Sequence, residues 1–67
     1  MLNIKYSKHA RERMVERGIS KNEIFKAIQK GQKGTQKGKL ITTYTYFEVV
    51  YKKIGDKYYI ITVQLRW

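Results

Sequence analysis

The amino-acid sequence predicts an α+β fold, in which two short helices pack on one face of an antiparallel sheet of three to four strands. Three observations predict this class. A short alternating segment opens the chain, serines and glycines frame two segments with helical apolar spacing up to residue 31, and β-branched and aromatic residues dominate from residue 40 onward. The chain has 67 residues, which is the size of one small domain.

The first two predicted elements are a strand and a helix. Residues 2–6 alternate apolar and polar side chains, as a strand with one buried face does. Ser7 is a favourable residue to cap the start of a helix, and Gly18 is favourable just beyond a helix end, so together they predict a helix between them. Ala10 and Met14 are four residues apart and give this helix a narrow apolar side.

A second helix is predicted directly after the first. Ser20 and Glu23 have the spacing of a capping box, in which the two side chains and two backbone amides exchange hydrogen bonds. Ile24 and Ile28 follow at helical spacing and give the helix an apolar side. Gly31 marks its expected end.

The remainder of the chain is predicted to form a connection and then strands. Residues 31–39 hold three glycines and no helical period, so we expect a connection that can include a short strand at its start. Residues 40–53 and 58–65 are rich in side chains that favour strands. Gly55 and Asp56 predict a two-residue hairpin turn, and the adjacent Ile60 and Ile61 predict a central strand that is buried on both faces.

The composition limits the classes of function. Fifteen lysines and arginines against five acidic residues give a net charge of +10, and both halves of the chain share the excess. A small domain with this charge attracts polyanions and gains affinity from counterion release, so we expect a nucleic acid or an acidic protein as partner. Cysteine is absent and there is one histidine, so disulfide bonds, metal sites and other cofactors are not expected.

Length and hydropathy give expectations for location and assembly. No apolar run approaches the ~18–20 residues that cross a bilayer, and the first 20 residues lack the apolar region of a signal peptide. A cytoplasmic protein without membrane contact is therefore expected. A chain this short buries only about 60% of its unfolded surface, which favours a homodimer or a complex with another protein.

The first predicted helix places three side chains that are suited to catalysis on one side. His9, Arg13 and Arg17 are spaced by four residues, so they follow one another along a single helix face. Cleavage of RNA without a metal needs a base for the 2′-hydroxyl and cations for the phosphorane charge, which a histidine and two arginines supply. Arg66, at the end of the last predicted strand, is a candidate for a third cation.

Simpler interpretations exist for the same side chains. His9 can hydrogen-bond a nearby carbonyl or pack over a strand. Arg13 and Arg17 can form ion pairs on a solvated face, with the glutamates at positions 12 and 16 as partners. Those two glutamates are also four residues apart, so a glutamate base is a further alternative.

Further residues are candidates for binding nucleic acid. Aromatic side chains that alternate with lysines on a sheet can stack exposed bases, and basic residues on a helix contact phosphates. The candidates are Lys8 and Arg11 on the first helix and Tyr44, Tyr46 and Tyr51 on the strands. A tyrosine-rich core is the alternative interpretation for each of the three tyrosines.

The segment at residues 7–20 resembles the signature of a widespread family of small uncharacterised prokaryotic domains, Ser-x-His-Ala-x-x-Arg-Met-x-x-Arg-Gly-Ile-Ser. The resemblance continues through the second helix to Gly31 and to an Ile-Thr-Val run, and it covers most of the chain. The residues that match the signature are Ser7, His9, Ala10, Arg13, Met14, Arg17, Gly18, Ile19 and Ser20. This family is similar to the RelE- and barnase-like ribonuclease toxins.

The resemblance implies a single RelE-like toxin-type domain over residues 1–67 and a metal-independent endoribonuclease (an mRNA interferase) of a toxin–antitoxin system. It implies RNA as substrate, including ribosome-bound mRNA, and an acidic antitoxin that covers the basic site. His9, Arg13 and Arg17 take the implied catalytic roles by direct match, and Arg66 takes the place of a basic residue that many members have. The alternatives are a non-catalytic nucleic-acid-binding module and a small basic protein that binds an acidic partner.

Overall fold

The fold belongs to the expected α+β class. The computed structural model describes residues 3–65, which form two helices and five strands. In chain order the elements are β1 (Asn3–Tyr6), α1 (Lys8–Arg17), α2 (Lys21–Lys30), β2 (Gln32–Gln36), β3 (Lys39–Tyr44), β4 (Phe47–Ile54) and β5 (Lys57–Leu65). Both helices lie where the serine and glycine signals predict them.

The sheet is mixed and has five strands in the order β1-β5-β4-β3-β2. Strands β2 to β5 form an antiparallel meander, whereas β1 runs parallel to β5. The prediction of an antiparallel sheet with three to four strands is therefore wrong in strand number and in the direction of one strand. The parallel pair arises because the first strand pairs with the last one, and both helices and strands β2 to β4 separate them in sequence.

Strand β2 replaces part of the connection that the sequence predicts at residues 31–39. All five of its residues are exposed, so no apolar alternation distinguishes it from a loop. Regular antiparallel pairing with β3 holds it in the sheet. Lys37 and Gly38 connect the two strands with φ angles of 52° and 77°, the left-handed conformation that suits a two-residue hairpin turn.

Side-chain caps fix the starts of both helices as predicted. The Ser7 hydroxyl accepts a hydrogen bond from the Ala10 amide at 2.9 Å and donates one to the Ile61 carbonyl at 2.9 Å, which ties the start of α1 to β5. Ser20 and Glu23 form the predicted capping box, with hydrogen-bond distances of 3.1 and 2.9 Å. The caps satisfy backbone amides that have no partner within the helix.

The hydrophobic core lies between the helices and the central strands β4 and β5. The two helices contribute small and aliphatic side chains, and each fully buried side chain of valine size or larger contributes ~1.5–3 kcal/mol to folding. The core residues are Ala10, Met14, Ile19, Ile24, Ala27, Ile28, Phe47, Val49, Tyr51, Ile60 and Val63.

The second face of the sheet is covered by neither helix within residues 3–65. Because side chains alternate along a strand, the neighbours of the core residues point to this side. We call it the open face, and it consists of Asn3, Lys5, Gln32, Gly34, Gln36, Lys39, Ile41, Thr43, Glu48, Val50, Lys52, Ile54, Lys57, Tyr59, Ile61, Thr62 and Gln64. A two-layer fold of this kind leaves one sheet surface available to other molecules.

A buried hydrogen bond joins the end of α2 to the sheet. Thr42 of β3 is fully buried, and its hydroxyl donates to the Ala27 carbonyl at 2.7 Å. Gly31 follows α2 at this point, and a Cβ on it would overlap the Thr42 hydroxyl and crowd the carbonyls of Ala27 and Thr43. Close packing therefore requires a glycine here, although its φ of −70° is open to any residue.

We expect Gly31→Ala to destabilise the domain by about 2 kcal/mol, because the added methyl group must displace Thr42 or a backbone carbonyl. Gly34→Ala is the matched control, since Gly34 lies on β2, where an added Cβ meets no atom within 4 Å. Unfolding by guanidinium chloride, followed by circular dichroism, measures the difference. Equal free energies of unfolding for the two variants would contradict this packing constraint.

Candidate functional site

The side chains predicted to act on RNA lie along α1. His9 is in the first turn and Arg17 is in the last, and both are exposed. Eight residues of α-helix separate them by about 12 Å along the axis. No residue in the described range 3–65 forms a hydrogen bond or an ion pair with His9. No described group therefore fixes the orientation of the imidazole ring, and its catalytic role stays a prediction.

Arg13 is held in an ion pair on the helix surface. Its Nη1 donates to Glu16 Oε1 at 2.8 Å, with 41% and 57% of the two side chains exposed. A surface pair at this helical spacing contributes only about 0.2–0.5 kcal/mol. The pair agrees with the simpler interpretation of this arginine, yet a phosphate can replace the glutamate at a small cost in free energy. Arg66, the candidate third cation, lies outside the described residues.

The outer side of α1 carries mixed charge. Lys8 and Arg11, both predicted to bind nucleic acid, are exposed there. They line a shallow groove of about 490 Å³ together with Glu12, Val15 and Glu16. The two glutamates reduce the positive potential of this groove, so the outer side of α1 is a weak phosphate-binding surface.

The three tyrosines predicted to stack bases do not form one platform. Tyr44 is half-buried on the helix side of the sheet, with its ring edge-to-face on Phe47 at 6.1 Å. Tyr46 lies in the turn after β3, is 41% exposed, and also packs edge-to-face on Phe47, at 5.4 Å. Both rings therefore pack against the core residue Phe47, although part of the Tyr46 ring stays exposed.

Tyr51 is a correction to the predicted site. It lies in the core and is only 5% exposed, so it cannot stack a base. Burial raises the pKa of its phenol, and the neighbouring Tyr58, whose ring centroid is 5.9 Å away, raises it further. Tyr51 continues the inward alternation of Phe47 and Val49 along β4, which favours the tyrosine-rich core, its alternative interpretation. The bulge in the pairing of β4 and β5 lies at Ile61 and shifts the alternation of β5 instead.

The open face carries a row of basic and aromatic side chains that the sequence analysis missed. Tyr59 of β5 lies between its register partners, Lys5 of β1 and Lys52 of β4. Lys39 of β3 is one position beyond the pair Leu40–Tyr51 and lies next to Lys52. We call these four side chains the Lys–Tyr row. Neighbouring strands are ~4.8 Å apart, so the row extends about 14 Å across four strands.

A groove accompanies the Lys–Tyr row. It has a volume of about 520 Å³ and is lined by Lys39, Lys52, Ile54, Tyr59 and Ile61. Tyr59 is 40% exposed and Ile54 is 64% exposed, so an apolar surface lies between lysine ammonium groups. Such a surface combines a stacking platform with contacts for a charged backbone.

Positive charge on the open face is concentrated at one end. The only glutamate on it, Glu48, lies four residues before Lys52 on β4, and it accepts a hydrogen bond of 2.7 Å from Gln64 Nε2. The ion pair of Arg13 and Glu16 lies on α1, and Glu48 lies away from the row, beside Gln64. Positive charge therefore collects at the end of the open face that holds the Lys–Tyr row.

No group of three or more histidine, cysteine, aspartate or glutamate side chains is arranged to hold a metal ion within residues 3–65. Neither described helix is long and apolar enough to cross a membrane.

Comparison with known proteins identifies a family. A family model described as "Domain of unknown function (DUF4258)" matches residues 6–64, a range that includes α1 and most of the open face. No curated protein and no solved structure matches the chain. The expected membership of an uncharacterised-domain family is thus confirmed, and the likeness to RelE- and barnase-like ribonucleases stays a prediction. The chain belongs to the DUF4258 family of domains of unknown function.

Proposed function

We propose that this protein binds RNA across its open face and acts as a metal-independent endoribonuclease of the toxin type. The observation that carries the proposal is the Lys–Tyr row, in which a 40% exposed Tyr59 lies between lysines of neighbouring strands. The net charge of +10 adds a long-range attraction for any polyanion.

The Lys–Tyr row fits a single strand better than a rigid duplex. Three lysines that neutralise three phosphates give a salt dependence of about −2 in log K against log salt, since each phosphate of a single strand contributes about −0.7. A base stacked on Tyr59 adds ~1–3 kcal/mol, and this contact needs an unpaired base. The lysine–phosphate contacts and the stacking on Tyr59 therefore act on the same RNA strand.

The catalytic part of the proposal connects the open face with α1. Lys5 lies on the edge strand β1, and His9 follows four residues later, so at most about 14 Å of chain separates them. An RNA strand that passes over the β1 edge reaches from Lys5 to the first turn of α1. The match of residues 7–20 to the family signature supports a role for this helix face.

The chemistry would be an internal transfer of the phosphodiester. His9 would take the proton of the 2′-hydroxyl as its oxygen attacks phosphorus, and the bond to the 5′-oxygen would break as that oxygen takes a proton from water. Arg17 would stabilise the phosphorane, joined by Arg13 once phosphate replaces Glu16. The products would be a 2′,3′-cyclic phosphate and a 5′-hydroxyl, with no metal or cofactor.

A non-catalytic nucleic-acid-binding module is the second candidate. It is favoured by the exposure of His9 and by the absence of a hydrogen-bond partner for its ring within residues 3–65. For the toxin, an acidic antitoxin is the proposed protein partner, because its carboxylates would neutralise the lysines that otherwise contact phosphates. Cytoplasmic RNA, including ribosome-bound mRNA, is the proposed target.

We expect the double substitution of Lys39→Gln and Lys52→Gln to weaken RNA binding at least about tenfold and to reduce the salt slope by about 1.4. The charge-matched control is Lys26→Gln with Lys30→Gln, two exposed lysines of α2. Fluorescence anisotropy with a labelled single-stranded RNA at several salt concentrations gives both quantities. The same loss in both double variants would show that binding depends only on net charge and would refute the role of the row.

We expect His9→Ala to lower cleavage of RNA by about 10²–10⁴-fold, because general-base catalysis contributes on that order. The assay follows a labelled RNA in the presence of EDTA, identifies the cyclic phosphate end, and measures RNA affinity in parallel. Arg11→Ala, on the outer side of α1, is the control. Wild-type protein that binds RNA without cutting it would leave the binding module as the function, and undiminished cleavage by His9→Ala would place the chemistry elsewhere.

A further inference from the structure

Strand β2 contains a glycine that the isolated domain does not require. Gly34 is the middle residue of β2, its φ lies outside the left-handed region, and a Cβ added to it meets no atom within 4 Å. The pairing of β2 with β3 is regular at this position, so no bulge explains the glycine. A glycine inside a strand weakens the strand, and the remaining common reason for one is the close approach of a ligand or another backbone.

The missing side chain leaves a notch on the open face. Gly34 is the register partner of Ile41, whose half-buried side chain becomes accessible beside it. Gln32 and Gln36 lie two residues to either side on the same face of the strand, and Thr43 of β3 pairs with Gln32. We call these five residues the Gly34 notch, and they line most of a groove of about 310 Å³.

We propose that the Gly34 notch binds one unpaired nucleobase of a single-stranded RNA held by the Lys–Tyr row. This inference rests on the proposed RNA binding. A flat ring can lie against the Gly34 backbone and the Ile41 side chain, where any side chain at position 34 would obstruct it. The amides of Gln32 and Gln36 each present a donor and an acceptor, the groups that read the edge of an exposed base.

Continuity with the Lys–Tyr row supports a nucleobase as the occupant. Gln36 of the notch pairs in register with Lys39, which is a member of the row. A strand whose phosphates contact Lys39 and Lys52 therefore passes beside the notch. The lining residues of the notch include no carboxylate, so nothing there repels the sugar-phosphate backbone.

An added peptide strand is the competing occupant, and it would bind at a different place from a nucleobase. A sixth strand would pair with the outer edge of β2 in the plane of the sheet, where the position of the Gly34 side chain has no effect. A base on the open face meets position 34 from above. Filling the notch therefore blocks a base and leaves the edge of β2 intact.

The test compares Gly34→Val with Thr35→Val, which places the same valine at the neighbouring position on the other side of β2 by exchanging a hydroxyl for a methyl group. Because valine favours strands and replaces a flexible glycine, we expect Gly34→Val not to lower the melting temperature. Labelled single-stranded oligo-A, oligo-C and oligo-U are the probes, with affinity measured by fluorescence anisotropy. Gly34→Val should weaken the preferred oligonucleotide about tenfold and make the three affinities alike, Gln36→Ala should change the order of preference, and Thr35→Val should match the wild type.

Each other outcome overturns the inference in a distinguishable way. If Gly34→Val keeps wild-type affinity and preference while Lys39→Gln with Lys52→Gln binds weakly, the row binds RNA and the notch does not. If wild-type protein binds none of the oligonucleotides at low salt, the proposed function fails together with the subsite. If Gly34→Val disrupts a wild-type dimer in sedimentation velocity and leaves RNA affinity unchanged, a second copy occupies the notch.

Discussion

Coverage of a single sheet face is the constraint on which the rest of this structure depends. The two helices have ten residues each, and their apolar sides pack against one face of the central strands. The open face must therefore combine exposed apolar side chains with enough charge to keep the surface hydrated. Ile54, 64% exposed beside Lys52 and Tyr59, shows this compromise most clearly. Long lysine side chains suit it, since their methylene stems cover apolar neighbours while the ammonium groups stay in water.

Two hydroxyl groups set the positions of the helices over that covered face. Ser7 links the first turn of α1 to the carbonyl of Ile61, and Thr42 links the last turn of α2 to β3 through the Ala27 carbonyl. Both bonds lie at helix ends, where the Ser7 hydroxyl also accepts from the Ala10 amide and the Ala27 carbonyl also accepts from the Gly31 amide. The side of α1 that carries His9 is thereby held at a fixed angle to β5. The chemistry proposed for α1 depends on this link as much as on the spacing of its own residues.

The parts of the structure that the sequence predicted are those that depend on local contacts. The caps at Ser7 and Ser20 and the left-handed Gly18, with φ of 69°, involve residues within about one helical turn, so the order of residues is sufficient to find them. Strand β2 depends on pairing alone, because all its residues are exposed and no apolar pattern marks it. Tyr51 points inward by the regular alternation of β4, whereas the outward position of Tyr59 follows from the bulge at Ile61, which only the paired strands reveal. The Lys–Tyr row was missed for the same reason, since its members come from four strands.

Lysines on a sheet can prevent association of sheet edges instead of binding phosphates, but this explanation applies to only part of the open face. Charged side chains on edge strands hinder the edge-to-edge association of sheets, and Lys5 on β1 is placed to do so. Lys52 lies on β4, which is paired on both sides, so it has no edge to protect. Its adjacency to Lys39 on the next strand puts two like charges at a distance that destabilises a sheet in the absence of a counter-charge. A polyanion bound as proposed would remove that repulsion, so phosphates on the row would restore the free energy that the free domain loses through this pair.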